Sequence, residues 1–136
     1  MKTSIFSRLA TGLLFFLLFS NAFAQENNSA KNILANTEWT GLAMIPMPET
    51  VNFVFSEDKF DLVFQGNVVE SMNYNIVNDT ISLKKIVGGS PCSPEELGNY
   101  NFKIENKTLI LSTVKDNCSE RSAAFDPKGY MLVEKK

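Results

Sequence analysis

The chain has 136 residues, 13 basic against 15 acidic side chains, no histidine and two cysteines. That length supports one domain with a single core, and a net charge of −2 without a basic patch excludes nucleic acid as an expected partner. Without histidine the commonest general base, the Ser-His and Cys-His nucleophile pairs and the usual zinc ligand sets are missing, so neither metal nor cofactor is expected.

At the N-terminus Lys2 and Arg8 form a positive segment, Leu9 to Phe19 an apolar core, and Ala22-Phe23-Ala24 a small-x-small cleavage site. This is the pattern of a secretory signal peptide over residues 1–24. The apolar core is shorter than the ~20 residues a membrane-spanning helix needs, and an uncleaved anchor would have to take in Arg8 and Asn21. No cysteine stands near the cleavage site to carry a lipid. The expectation is an exported protein, in the periplasm or external medium, without a stable membrane anchor. Removal of the signal takes away two cations and five of the eleven phenylalanines, leaving a polar, Asn-rich, anionic mature chain.

Residues 25–36 (QENNSAKNILAN) are polar and lack a period, which predicts a flexible lead-in. The single domain is expected over residues 37–136. From there short runs alternate between turn residues. Trp39 to Ile45 is stopped by Pro46-Met47-Pro48, and Thr50 to Ser56 places Val51, Phe53 and Phe55 on one face. Phe60, Leu62 and Phe64 alternate before Gln65-Gly66-Asn67, and Val68 to Val77 puts Met72, Tyr74 and Ile76 on one side. Asn78-Asp79 turns into Thr80 to Val87. Tyr100, Phe102 and Ile104 alternate before Asn106-Lys107, Thr108 to Lys115 follows, and Gly129 to Glu134 closes the chain. Period-two runs separated by Asn, Asp, Gly and Pro signify an antiparallel meander. The one helical turn predicted is Ser93 to Leu97, with Ser93 as cap, Pro94 at the first position and Glu96 completing a capping box.

Eight short strands must hide two sheet edges, and closure into a barrel does so completely, with an open sandwich as the alternative. An even cysteine pair in an exported chain reads as one disulfide, Cys92–Cys118. The two lie almost symmetrically about Asn106-Lys107, so a hairpin folded at that turn brings them together at its open end.

Two stretches carry a resemblance: Asn36-Thr37-Glu38-Trp39 early in the first strand, and Gly98-Asn99-Tyr100 through Cys118-Ser119-Glu120-Arg121. Together they resemble the small lipocalin-like (calycin-type) barrels of bacterial extracytoplasmic proteins, with Thr37 standing where that group usually has glycine. The resemblance implies an all-β antiparallel meander closing into an eight-stranded lipocalin-like barrel. It also implies that a late arginine, here Arg121, packs over the first-strand Trp39 and closes one end.

Asp116, Glu120 and Arg121 cluster after the clamped hairpin, and a loop-pinning salt bridge is preferred over an acid/base pair because nothing else converges on a reaction. Val87-Gly88-Gly89-Ser90-Pro91 lacks the frame and lysine of a phosphate loop and reads as a connection near a barrel mouth. Phe53, Phe55, Phe60, Phe64, Tyr74, Tyr100 and Phe102 fall on the inward face, where they would line an apolar pocket or fill a core. Asn27, Asn78, Asn106 and Asn117 head Asn-x-Ser/Thr triplets. The expected function is a non-enzymatic, monomeric barrel binding a small apolar or amphipathic ligand. The alternative is an inhibitor or immunity protein that blocks an envelope hydrolase, with residues 25–36 as its projecting arm.

Overall fold

A computed structural model describes residues 32–136; the segment expected to be a signal peptide, 1–24, and residues 25–31 of the expected lead-in lie outside the described residues. Eight strands and one short helix follow in order: β1 (Glu38–Met44), β2 (Pro48–Phe55), β3 (Lys59–Phe64), β4 (Asn67–Val77), β5 (Thr80–Gly88), β6 (Leu97–Glu105), β7 (Thr108–Asp116), α1 (Ser119–Ala124) and β8 (Tyr130–Leu132). Each strand pairs antiparallel with its neighbours in sequence, and β8 returns to β1, so the meander is a closed barrel. Every strand has a paired neighbour on both sides over at least part of its length, which limits the template for edge-to-edge pairing. No helix among the described residues is long and apolar enough to cross a membrane.

The turns follow from residue type. Gln65-Gly66 and Asn106-Lys107 each join two strands with both φ angles positive, the backbone that matches the twist of a two-residue hairpin. Bulges at Leu62/Val63, Ser71/Met72 and Asn99/Tyr100 interrupt the ladders, and such extra residues bend and coil a sheet toward closure. The disulfide joins Cys92 to Cys118 with Cα atoms 5.4 Å apart, at the open end of the β6–β7 hairpin whose turn is Asn106-Lys107.

The helix lies away from the predicted turn. Ser93 to Glu96 forms a single hydrogen-bonded turn, in which Ser93 Oγ accepts from the Glu95 amide at 3.2 Å and Glu96 accepts from the Ser93 amide at 2.9 Å. The capping contacts form as expected, yet β6 begins at Leu97 and leaves no room for a second helical turn. The helix instead follows the disulfide at Ser119.

The two ends of the barrel differ. At the end where β1 begins, the lead-in is packed rather than flexible from Asn32 onward. Leu34 is fully buried, and Asn32 donates to the Tyr74 hydroxyl at 2.6 Å and the Glu57 carbonyl at 2.9 Å. The Leu34 carbonyl accepts from the Thr37 amide and hydroxyl. An apolar side chain in the opening and satisfied polar groups around it make a plug. Above it the core is aromatic: Phe55 and Phe60 stack at 4.7 Å, Tyr74 meets Phe55 edge-on at 5.2 Å, and Phe53 packs against Phe60 and Tyr130. At the opposite end β8 is too short to cover β1 and β7 along their whole length, and α1 with Phe125 fills the gap, Phe125 bridging to Ala43.

Two outcomes are expected from denaturant unfolding. Reduction of Cys92–Cys118 lowers stability by roughly 3–4 kcal/mol, the loop-closure entropy of a span of this size. Leu34→Ala costs about 2–5 kcal/mol if the plug is part of the cooperative fold; a wild-type midpoint would show that the segment adds nothing.

Candidate functional site

The inward face of the barrel is filled at the plugged end and open at the other. A cavity of about 710 Å³ lies at the mouth. Its floor is Leu62, Met72 and Phe125. Met44, Ile45 and Pro46 from the β1–β2 connection, Phe64 and Val69, and Ala123 and Ala124 of α1 form the walls. The polar members of the lining are Glu70, Ser90, Glu120 and Arg121.

Phe125 divides the cavity from the core. Its ring meets Phe53 at 5.8 Å and Tyr100 at 4.9 Å, both edge-on, so it caps the aromatic column from above. Of the seven aromatics expected on the inner face, only Phe64 lines the cavity. Phe53, Phe55, Phe60, Tyr74, Tyr100 and Phe102 are buried in the core. They point inward as the alternation requires, but their bulk fills a small barrel's interior.

Two buried ion pairs frame the mouth. Arg121 Nε lies 2.6 Å and Nη2 2.8 Å from the two Asp116 oxygens, and Nη2 also donates to the Glu96 carbonyl at 3.0 Å. The Tyr100 hydroxyl donates to the same carboxylate, and the Cys118 amide does so at 2.8 Å. The Asp116 side chain is completely buried and that of Arg121 is 4% exposed. Nη1 of Arg121 is buried without a hydrogen-bond partner. Gly98 makes the pair fit: a Cβ there would fall 2.3 Å from Asp116 Oδ2 and 2.9 Å from Arg121 Nε.

Burial alone would push the Asp116 carboxyl up, yet the hydrogen bonds from Arg121, Tyr100 and the Cys118 amide hold it below its ordinary value. The Arg121 guanidinium is raised by the same contact with Asp116. Burial pushes the Tyr100 hydroxyl up, reinforced by the neighbouring Asp116, so it stays a neutral donor.

The second pair holds the loop after β5. Glu70 and Lys85 approach to 3.8 Å with both side chains about nine-tenths buried. Glu70 accepts from Ser90 Oγ at 2.5 Å and from the Ser90 amide at 3.2 Å, while Lys85 donates to the Ser90 carbonyl at 2.5 Å. Both ends of Ser90 are therefore tied to one ion pair, which latches Gly89 to Pro91 beside the cavity. Gly88 lets the chain pass, since a Cβ there would lie 2.0 Å from Glu70 Oε2.

The expected pairing of Arg121 with Trp39 is not formed. Trp39 is the second residue of β1, in register with Phe53 and Leu132, and its indole N–H donates to Thr37 Oγ1 at 2.8 Å. Arg121 lines the mouth beside Met44 and Ile45, beyond the other end of β1. The run from Trp39 to Met44 spans about 17 Å of extended chain. The physical reason is partner strength: a buried carboxylate takes up a guanidinium in two directed, charge-assisted hydrogen bonds, which outweigh contact with a ring face. The salt-bridge reading of the Asp116–Glu120–Arg121 cluster thus describes Asp116 and Arg121, whereas Glu120 stands apart at the exposed rim.

Glu70 and Lys85 were legible as inward-facing charges. Glu70 is in phase with Met72 and Tyr74, and Lys85 with Ile81 and Leu83, and a charge in the buried phase signals a partner. Phe125 carries no such signal, because it follows an unanticipated helix.

The geometry defines an eight-stranded antiparallel barrel, compatible with a lipocalin-like fold, plugged at one end and open to an apolar cavity at the other. Searches against protein-family models, curated proteins and solved structures give no match for this chain.

Loss of the Arg121 cation is expected to cost about 3–5 kcal/mol, because it strands a buried carboxylate. The cost depends on pH in a defined direction. The folded-state pKa of Asp116 is depressed, so its stabilisation is complete above the ordinary carboxylate value and is lost as pH falls through the folded value. The stability gap between wild type and Arg121→Met, measured by urea unfolding, should therefore be widest at high pH and narrow progressively as pH falls, starting above the ordinary carboxylate range, because without Arg121 burial raises the Asp116 carboxyl in the folded variant. A gap insensitive to pH would show that packing, and not the ion pair, carries the effect.

Proposed function

We propose that this chain is an exported, bacterial lipocalin-like carrier that binds a small apolar ligand in the mouth cavity and acts by binding rather than by catalysis. One observation carries the reading: a cavity of about 710 Å³ with an almost wholly apolar wall, set on a rigid closed barrel. Ligand sites of about 300–1,000 Å³ with apolar walls and a few fixed polar groups are the usual form for small molecules. The filled aromatic core beneath supplies a firm floor, and the two ion pairs hold the walls in place. The disulfide suits an oxidising compartment, in keeping with the signal-like N-terminus.

Glu70, Ser90 and Arg121 of the lining are engaged in hydrogen bonds within the protein. Ser90 Oγ is tied to Glu70 and Asp116 to Arg121, so the arrangement favours holding a molecule over transforming it.

The test combines native mass spectrometry of the purified protein with a thermal-shift panel of fatty alcohols, isoprenoids and fatty acids. A ligand at about ten times its Kd should raise Tm by roughly 5–10 °C. Leu62→Trp, which fills the floor of the cavity, should abolish the shift while the protein stays folded. No shift from any apolar compound, or an undiminished shift in Leu62→Trp, would place binding elsewhere. Capture of an envelope protein in place of a small molecule would favour the inhibitor alternative.

A further inference from the structure

We infer that the mouth cavity takes an uncharged apolar molecule and discriminates against anionic amphiphiles; this rests on the carrier reading above and specifies its ligand class. The ground is the state of the charges around the cavity. Two cations stand at the mouth, and each is held in a buried ion pair. Arg121 gives Nε and Nη2 to Asp116, Nη2 also serves the Glu96 carbonyl, and Nη1 is closed off from solvent. Lys85 is tied to Glu70 and the Ser90 carbonyl, with its side chain only 10% exposed.

Redirecting either cation to a ligand would strip a buried carboxylate of its partner, a larger loss than a new surface contact returns. The remaining charge in the lining is Glu120, which joins none of the ion pairs among the described residues. An entering carboxylate or phosphate would therefore lose its water, find no available cation and meet a like charge at the rim. A neutral molecule meets none of these costs and gains the full apolar contact of Leu62, Phe64, Met72 and Phe125. The same latches that keep the walls rigid thus set the ligand's charge.

The probe is a pair matched in chain length, n-decanol and decanoate, titrated calorimetrically into the intact, disulfide-bonded protein near neutral pH and below the concentrations at which they aggregate. The expected result is that n-decanol binds at least about tenfold tighter, the penalty for burying an uncompensated charged group. Glu120→Gln should narrow that gap by about two- to fivefold, the worth of one exposed charge. Decanoate binding as tightly as n-decanol, or tighter, overturns the inference and leaves the carrier reading standing. Binding of neither compound, with no response to any member of the apolar panel, overturns both.

Discussion

Closure of the barrel depends on the pairing of β8, whose three residues hydrogen-bond to β7 on one side and β1 on the other. Thr108 and Leu109 face Met131 and Tyr130, while Trp39 and Thr40 face Leu132 and Met131. Backbone bonds just outside the strand, from Leu132 to the Lys107 carbonyl and from Val133 to the Glu38 carbonyl, extend the seam. Without it β1 and β7 would be exposed edges, each a row of unpaired amides and carbonyls. The seam is also short, and its shortness makes the mouth. Over the upper half of β1 and β7 a helix stands where a strand would otherwise continue, bringing Arg121, Ala124 and Phe125 to the cavity.

That substitution explains why one barrel is both filled and hollow. Where strands pair all the way round, inward side chains from opposite walls meet, and the large aromatics of β2, β3 and β4 exhaust the space. Where α1 replaces β8, the wall is built from the small side chains Ala123 and Ala124 and from a single ring, Phe125, lying across the column. Small residues at the mouth and large ones below produce a cavity with a solid floor.

The ion pairs are the means by which irregular chain is held around that cavity. A loop cannot bury its backbone without partners, and here Glu70 and Lys85 supply them for Ser90, as Asp116 and Arg121 do for the Cys118 amide and the Glu96 carbonyl. The disulfide ties the segment before β6 to the residues just after β7. Redundant fixing of this kind yields a preformed site, which lowers the ordering cost of binding.

Much of the architecture was legible from local pattern. Period-two alternation located the strands to within a few residues, Gln65-Gly66 and Asn106-Lys107 located turns, and the symmetry of Cys92 and Cys118 about the second turn indicated the clamped hairpin. These features are local because each depends on the pleat of one strand or the φ of one residue. Ile33-Leu34 was the only hint that a polar lead-in would supply a plug, and two apolar residues have no period to read. The partner of Arg121, the plugging of one end and the hollowness of the other were decided only by tertiary structure. Alternation states that Phe60 and Phe64 both point inward; it does not state that one is enclosed in the core and the other lines the open mouth. Likewise a guanidinium binds whichever carboxylate the closed barrel presents at hydrogen-bonding distance, and the end of β7 and the start of α1 place Asp116 there.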